Sequence, residues 1–140
     1  MNPTIPHDAI GETLRSVFAL IFDVPNEDGP PNREAISLHF DDLRITIRAM
    51  TDTSELSVDT KELSAPDNPE MAGCYRITDI SDHQLVASFI GKRVFDWWSL
   101  TNDAGYRDGV MITFSSYDAL CCIAMNNEVS ILNAAGEQCA

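Results

Sequence analysis

Between residues 36 and 131 apolar side chains return again and again at every second position, and this period-two alternation constrains the chain more than any other feature. Successive residues of an extended strand point to opposite faces, so the pattern buries one face of a sheet and leaves the other to polar groups. Ile36, Leu38 and Phe40 share a face. Beyond an Asp41-Asp42 turn, Leu43, Ile45, Ile47 and Ala49 share a face while Arg44, Thr46 and Arg48 take the other, which predicts a hairpin. Residues 55–59 offer a third short strand through Leu56 and Val58. In the second half Val110, Ile112 and Phe114 alternate, residues 115–118 turn the chain, residues 120–125 return, and Asn126-Asn127 leads into Val129 and Ile131.

The halves read as one pattern written twice, with Ile36 and Val110 in matching places 74 residues apart. Each meander follows a similar lead-in, Ile10-Gly11-Glu12-Thr13-Leu14 in one half and Ile90-Gly91-Lys92-Arg93-Val94 in the other. Each lead-in follows a segment capable of a short helix, most clearly at 82–89, with Ser81 or Asp82 as N-cap and Gly91 as terminator. Ile10, Leu14, Val17, Phe18 and Ile21 also fit helical spacing, but a break near Gly11 followed by a strand is preferred. The expected fold is α+β, predominantly antiparallel β-meanders. Two similar units, 8–60 and 80–134, each hold a short helix and three to four strands and share one core within a single domain, 1–140. The Pro- and Gly-bearing stretches 25–32 and 60–73 are expected to be loops.

A chain of 140 residues fits one domain and needs no staple. Its hydrophobic fraction of 44%, with six Phe, three Tyr and two Trp, excludes a wholly disordered acidic tail. No apolar run approaches the roughly 18 to 20 residues of a membrane span. The first eight residues lack a basic segment followed by an apolar one, so a soluble, cytoplasmic protein is expected. Charge narrows function further: 22 Asp and Glu stand against 9 Lys and Arg, a net −13. Such a surface repels nucleic acid and anionic lipid and draws in basic proteins.

Reactive groups form no recognisable motif. Cys121 and Cys122 are adjacent and so point to opposite faces of a strand, while Cys74 and Cys139 stand alone; buried free thiols are expected for the adjacent pair and an exposed bystander at Cys139. His7, His39 and His83 lack the companions that metal sites require, with His39 on the outward face of its strand. There is no G-x-S-x-G elbow, and Gly105-Tyr106-Arg107-Asp108-Gly109 is neither a phosphate loop nor a dinucleotide fingerprint. No catalytic residue, metal or cofactor is therefore assigned.

Carboxylates and aromatics carry the remaining signal. Asp23, Glu27 and Asp28 cluster around one loop. Trp97 and Trp98 point to opposite faces; one belongs in the core, and the other lies at a junction of sheets or stands exposed as an interface anchor, core placement of both being favoured. Asn102, Asp103, Tyr106 and Asp108 follow in a turn where Gly105 supplies a positive φ, read as a hairpin loop that also presents an acidic, aromatic tip. The expected partner-binding set is Asp23, Glu27, Asp28, Trp98, Asn102, Asp103, Tyr106 and Asp108.

The W-S-L-T-N-x-x-G-Y-x-D-G run at 98–109, in a small acidic meander-rich chain, resembles the immunity proteins of bacterial contact-dependent and other polymorphic toxin systems. That resemblance implies a protein that neutralises a cognate toxin, often a basic nuclease, by covering its active or substrate-binding surface. Carboxylates would take the places of phosphates and steer association, and aromatic anchors would slow dissociation. Two other classes remain open: a small hydrolase with His39, His83 or Asp108 converging between the units, and an acidic adaptor or chaperone for a secreted effector, which needs a large apolar patch.

Overall fold

The computed structural model describes residues 8–23, 32–50, 55–65, 74–115, 117–125 and 128–134. Nine strands follow in order: β1 Leu14–Phe22, β2 Asn32–Phe40, β3 Arg44–Ala49, β4 Leu56–Asp59, β5 Tyr75–Asp79, β6 Val94–Thr101, β7 Arg107–Phe114, β8 Ala119–Met125 and β9 Glu128–Ala134. They form two antiparallel sheets, ordered β4-β3-β2-β1-β5 and β6-β7-β8-β9. The alternation in sequence becomes alternation in space. Ile36, Leu38, Ile45 and Ile47 from the first sheet meet Val110, Ile112, Leu120 and Cys122 from the second in one shared core. No helix among the described residues is long and apolar enough to cross a membrane.

The two meanders match in detail. Each first strand carries a register shift just after its start, at Leu14/Ser16 and Val94/Asp96, and a second near its end, at Leu20/Ile21 and Leu100/Thr101. An inserted residue bends the strand and increases its twist, so shifts at corresponding places curve the two sheets alike. The lead-ins also pair with each other across a Thr13–Arg93 bridge. Gly11 N–H donates to Val94 O (2.9 Å) as Gly91 N–H donates to Leu14 O (2.7 Å), and Leu14 N–H reaches Lys92 O (3.0 Å) as Val94 N–H reaches Glu12 O (2.8 Å). Both glycines sit at positive φ, +90° and +86°, a conformation that side chains rarely adopt, which is why each half turns at a glycine before its first strand.

Two arginines tie the far ends of the sheets in the same reciprocal way. Arg33 of β2 donates to Val129 O on β9 (3.2 Å), and Arg107 of β7 donates to Leu56 O on β4 (3.4 Å).

The antiparallel β-meanders of the expected fold are present, but helix is nearly absent from the described residues, so its α part is reduced to short turns. Residues 82–89 form turns that end in a single 3-10 turn, Ala87–Phe89. Local side-chain bonds compete with a helix there: Asp79 accepts from Ser81 N–H (2.8 Å) and His83 Nδ1 accepts from Leu85 N–H (3.1 Å). Buried Val86 and Phe89, three apart, are served by one tight turn. Residues 9–11 likewise form only a turn, and the break at Gly11 followed by strand β1 is as expected. β5 is an addition to the expected strands, pairing with β1 from Phe18–Asp79 to Phe22–Tyr75. It gives the first sheet a fifth strand that the second lacks among the described residues.

Candidate functional site

The outward faces of the two sheets have different fates. On the first, the outward side chains of β3 hold residues 60–62 down across the sheet. Arg44 donates to Thr60 O (3.1 and 3.3 Å), Thr46 Oγ1 to Lys61 O, and Arg48 to Glu62 O (3.3 Å). Thr46 is fully buried, and with its hydroxyl proton on Lys61 O its oxygen lies 3.4 Å from Ser37 Oγ, so its polar group is satisfied. Leu63 then packs against Leu20 and Ala35 with Phe18 and Tyr75 around it. This strap explains why Thr46, placed by alternation among outward polar residues, is buried.

Two hollows flank the strap. The larger, about 580 Å³, is lined by Leu20, Glu34, Arg48, Asp59 and Lys61 among others. Burial raises the Glu34 carboxyl above its ordinary value, against an opposing hydrogen bond from Tyr75. The smaller, about 190 Å³, is lined by Phe18, His39, Glu62, Leu63 and Ile77. Burial and the nearby Arg44 hold the His39 imidazole below its usual value, and Phe18 lies over the ring at 4.8 Å. Neither His83 nor Asp108 joins His39 there, so the groups expected to converge in a hydrolase sit on separate elements. Among the described residues no group of three His, Cys, Asp or Glu is placed to hold a metal ion.

The outward face of the second sheet has no such strap among the described residues. Its register aligns Trp98, Met111, Cys121 and Leu132 in one row across all four strands. Trp97 is buried in the core at 7% exposure, but Trp98 is 50% exposed, which corrects the favoured placement of both tryptophans inside. Leu132 is 51% exposed. The next row runs Leu100, Gly109, Ile123 and Ser130; Leu100 lies over Gly109, where a Cβ would come within 3.2 Å of it. The corresponding row of the first sheet is Phe18, Ser37, Thr46 and Asp59, the one beneath the strap. Every exposed aromatic side chain among the described residues belongs to the second sheet or its loops: Phe95, Trp98, Tyr106 and Tyr117.

At one end of this face, residues 102–106 close a self-contained loop. Asn102 Oδ1 accepts from Ala104 N–H (2.9 Å) and Tyr106 N–H (3.2 Å), while Asn102 N–H donates to Tyr106 O (2.9 Å). Gly105 sits at φ +90°, as expected. Asn102 also donates to Asp108 (3.4 Å), so these two expected contact residues are engaged in building the loop. Asp103 and Tyr106 stand exposed at its tip. Asp23 is elsewhere, on the first sheet, bound to Arg76 at 2.8 Å. Glu27 and Asp28 lie outside the described residues. The row of Met111, Cys121 and Leu132 was missed in sequence. Its signal was the unbroken apolar run Leu120-Cys121-Cys122-Ile123-Ala124-Met125, which makes both faces of β8 apolar.

Charge is distributed unevenly in kind. Among the described residues, seven of the nine Lys and Arg side chains engage the chain itself. Arg15, Arg48, Arg76 and Lys92 face carboxylates, and Arg33, Arg44 and Arg107 face carbonyls. β6 to β9 contain Asp96, Asp108 and Glu128 but a single basic residue, Arg107, which reaches toward the first sheet. Glu128 likewise reaches the first sheet, accepting from Arg33 N–H (3.2 Å), and Asp108 is held by Asn102, so among the described residues the outward positions of these strands carry Asp96 and no base.

Neither a search of curated proteins nor one of solved structures finds a match. A family model matches residues 1–136, nearly the whole length. The chain belongs to the family of unknown function DUF6334.

Proposed function

We propose that the chain is a protein-binding domain that captures a basic protein, in the manner of an immunity protein that covers the active or substrate-binding surface of a toxin such as a nuclease. The observation that carries this reading is the internal engagement of seven of nine basic side chains. With its cations turned to its own carbonyls and carboxylates, the molecule offers a partner an excess of unneutralised acid, which speeds encounter with a cationic surface. The acidic loop at Asp103 and the exposed aromatics beside it supply the short-range contacts that slow dissociation. In the cell that makes both proteins, the complex would keep the toxin inactive. The test is to mix the purified chain with the protein encoded by the adjacent reading frame. A stable complex that weakens with salt and abolishes toxicity is expected, and absence of binding even at low salt would remove the reading.

A further inference from the structure

Resting on that reading, we infer that the outward face of the second sheet is the docking surface, and that its occupant is a protein surface with an apolar centre ringed by Lys and Arg. Four strands of about seven residues span roughly 19 by 23 Å, on the order of 400 Å² in plan. The two sheets share their connections, their register shifts and their reciprocal pairing at the lead-ins, yet only the first sheet's outward row is strapped by its own chain among the described residues. The row Trp98, Met111, Cys121, Leu132 has apolar side chains where its counterpart has Ser37, Thr46 and Asp59. A face that is largely apolar, and uncovered among the described residues, is shaped for something outside the chain.

Charge selects between occupants. A second copy would bring together two chains of net charge −13 across a face whose outward strand positions hold Asp96 and, among the described residues, no base. A basic rim meets that excess with opposite sign. Tyr117 adds a separate observation at the end of the sheet opposite the 102–106 loop. It holds a positive φ of 69°, unusual for a bulky residue, while its ring is 77% exposed and edge-on to exposed Phe95 at 6.5 Å. The positive φ serves the β7–β8 turn, where Tyr117 N–H donates to Phe114 O (2.8 Å), but a ring left in water adds nothing to the core, and exposed aromatics serve as interface anchors.

The experiment titrates the protein encoded by the adjacent reading frame into the wild-type chain, Trp98→Ala, Leu132→Ser, Tyr117→Gly and a control, Ile77→Ser, whose side chain is exposed on the first sheet. Circular dichroism and thermal unfolding establish that each variant is folded, and sedimentation gives the oligomeric state. Trp98→Ala and Leu132→Ser are each expected to weaken binding at least tenfold and Ile77→Ser less than twofold. Tyr117→Gly is expected to weaken binding without lowering the melting temperature. If the wild type binds and all variants bind alike, the face is wrong while the binding reading stands. If the wild type does not bind, both fall. If it sediments as a dimer that Trp98→Ala returns to monomers, the occupant is a second copy and the inference is overturned.

Discussion

Adjacent residues of one strand can have opposite chemistry. Cys122 points into the core opposite Val110 and Ile131, and burial, helped by neighbouring Cys121, pushes its thiol up to about 12. Cys121 lies on the outward row and is only partly covered. Since the thiolate is the reactive form, Cys122 is expected to remain unmodified by iodoacetamide in the native protein at pH 8 and to react once unfolded, as peptide mass mapping will show. Labelling of native Cys122 at the rate of Cys121 would contradict its burial. Glu34 supplies a second residue-scale prediction. Its folded carboxyl is raised above 4.5, chiefly by burial, so the folded state binds this proton more readily than the unfolded chain. Its favourable contribution is present below that ordinary value and is lost as pH rises through the folded one. At neutral pH the ionised group therefore opposes folding. Glu34→Gln is expected to raise the melting temperature at pH 7 and to give no gain at pH 4; equal gain at both would point to a cause other than titration.

The strap over the first sheet shows how much one element depends on its neighbour's alternation. Arg44, Thr46 and Arg48 project every second residue and meet successive carbonyls of residues 60–62, and Leu63 closes the contact. Leu63→Ser removes most of the apolar cover from Leu20 and Ala35, so a loss of about 2 kcal/mol is expected by denaturant unfolding, with faster tryptic cleavage after Lys61. Unchanged cleavage would mean the hydrogen bonds alone hold the strap. Strands β2 to β4 and β7 to β9 were legible because burying one face leaves period two in the residues themselves, and β1 and β6 because each follows a glycine-bearing lead-in as an apolar run. The strap was not, since its cover of Thr46 is a tertiary fact that alternation reads as solvent. Residues 82–89 misled because caps and apolar spacing suit an α-helix, whereas the short span before Gly91 accommodates only turns, and isolated helices shorter than about 12 residues are marginal. β5 escaped notice because it is a short edge strand with its Ile77 exposed. Of the expected contact residues, Trp98, Asp103 and Tyr106 are exposed at the second sheet, while Asn102 and Asp108 build the loop, a use that depends on which side chain its backbone faces.

Taken whole, the molecule balances two opposing electrostatic effects. Four ion pairs, Arg15–Asp41, Arg48–Asp59, Arg76–Asp23 and Lys92–Asp118, favour the fold, but their side chains are partly or largely exposed, and such pairs contribute at most about 1 kcal/mol each. Against them stands the mutual repulsion of a net charge of −13. A compact chain of this length has a radius of gyration of roughly 14 Å. The screening length is about 30 Å at 10 mM salt and about 8 Å at 150 mM, so at low salt carboxylates across the molecule still repel, whereas at physiological salt mainly neighbours do. Added salt weakens both effects, and the longer-ranged repulsion is weakened more. The melting temperature is therefore expected to rise by a few degrees from 10 to 300 mM NaCl, while affinity for a basic partner falls over the same range. The two responses have opposite signs because one charge excess is an internal burden in the free protein and an attraction in the complex. A melting temperature that fell with salt would mean that the ion pairs outweigh the repulsion, and the surplus of carboxylates would then be too well neutralised within the chain to steer a partner.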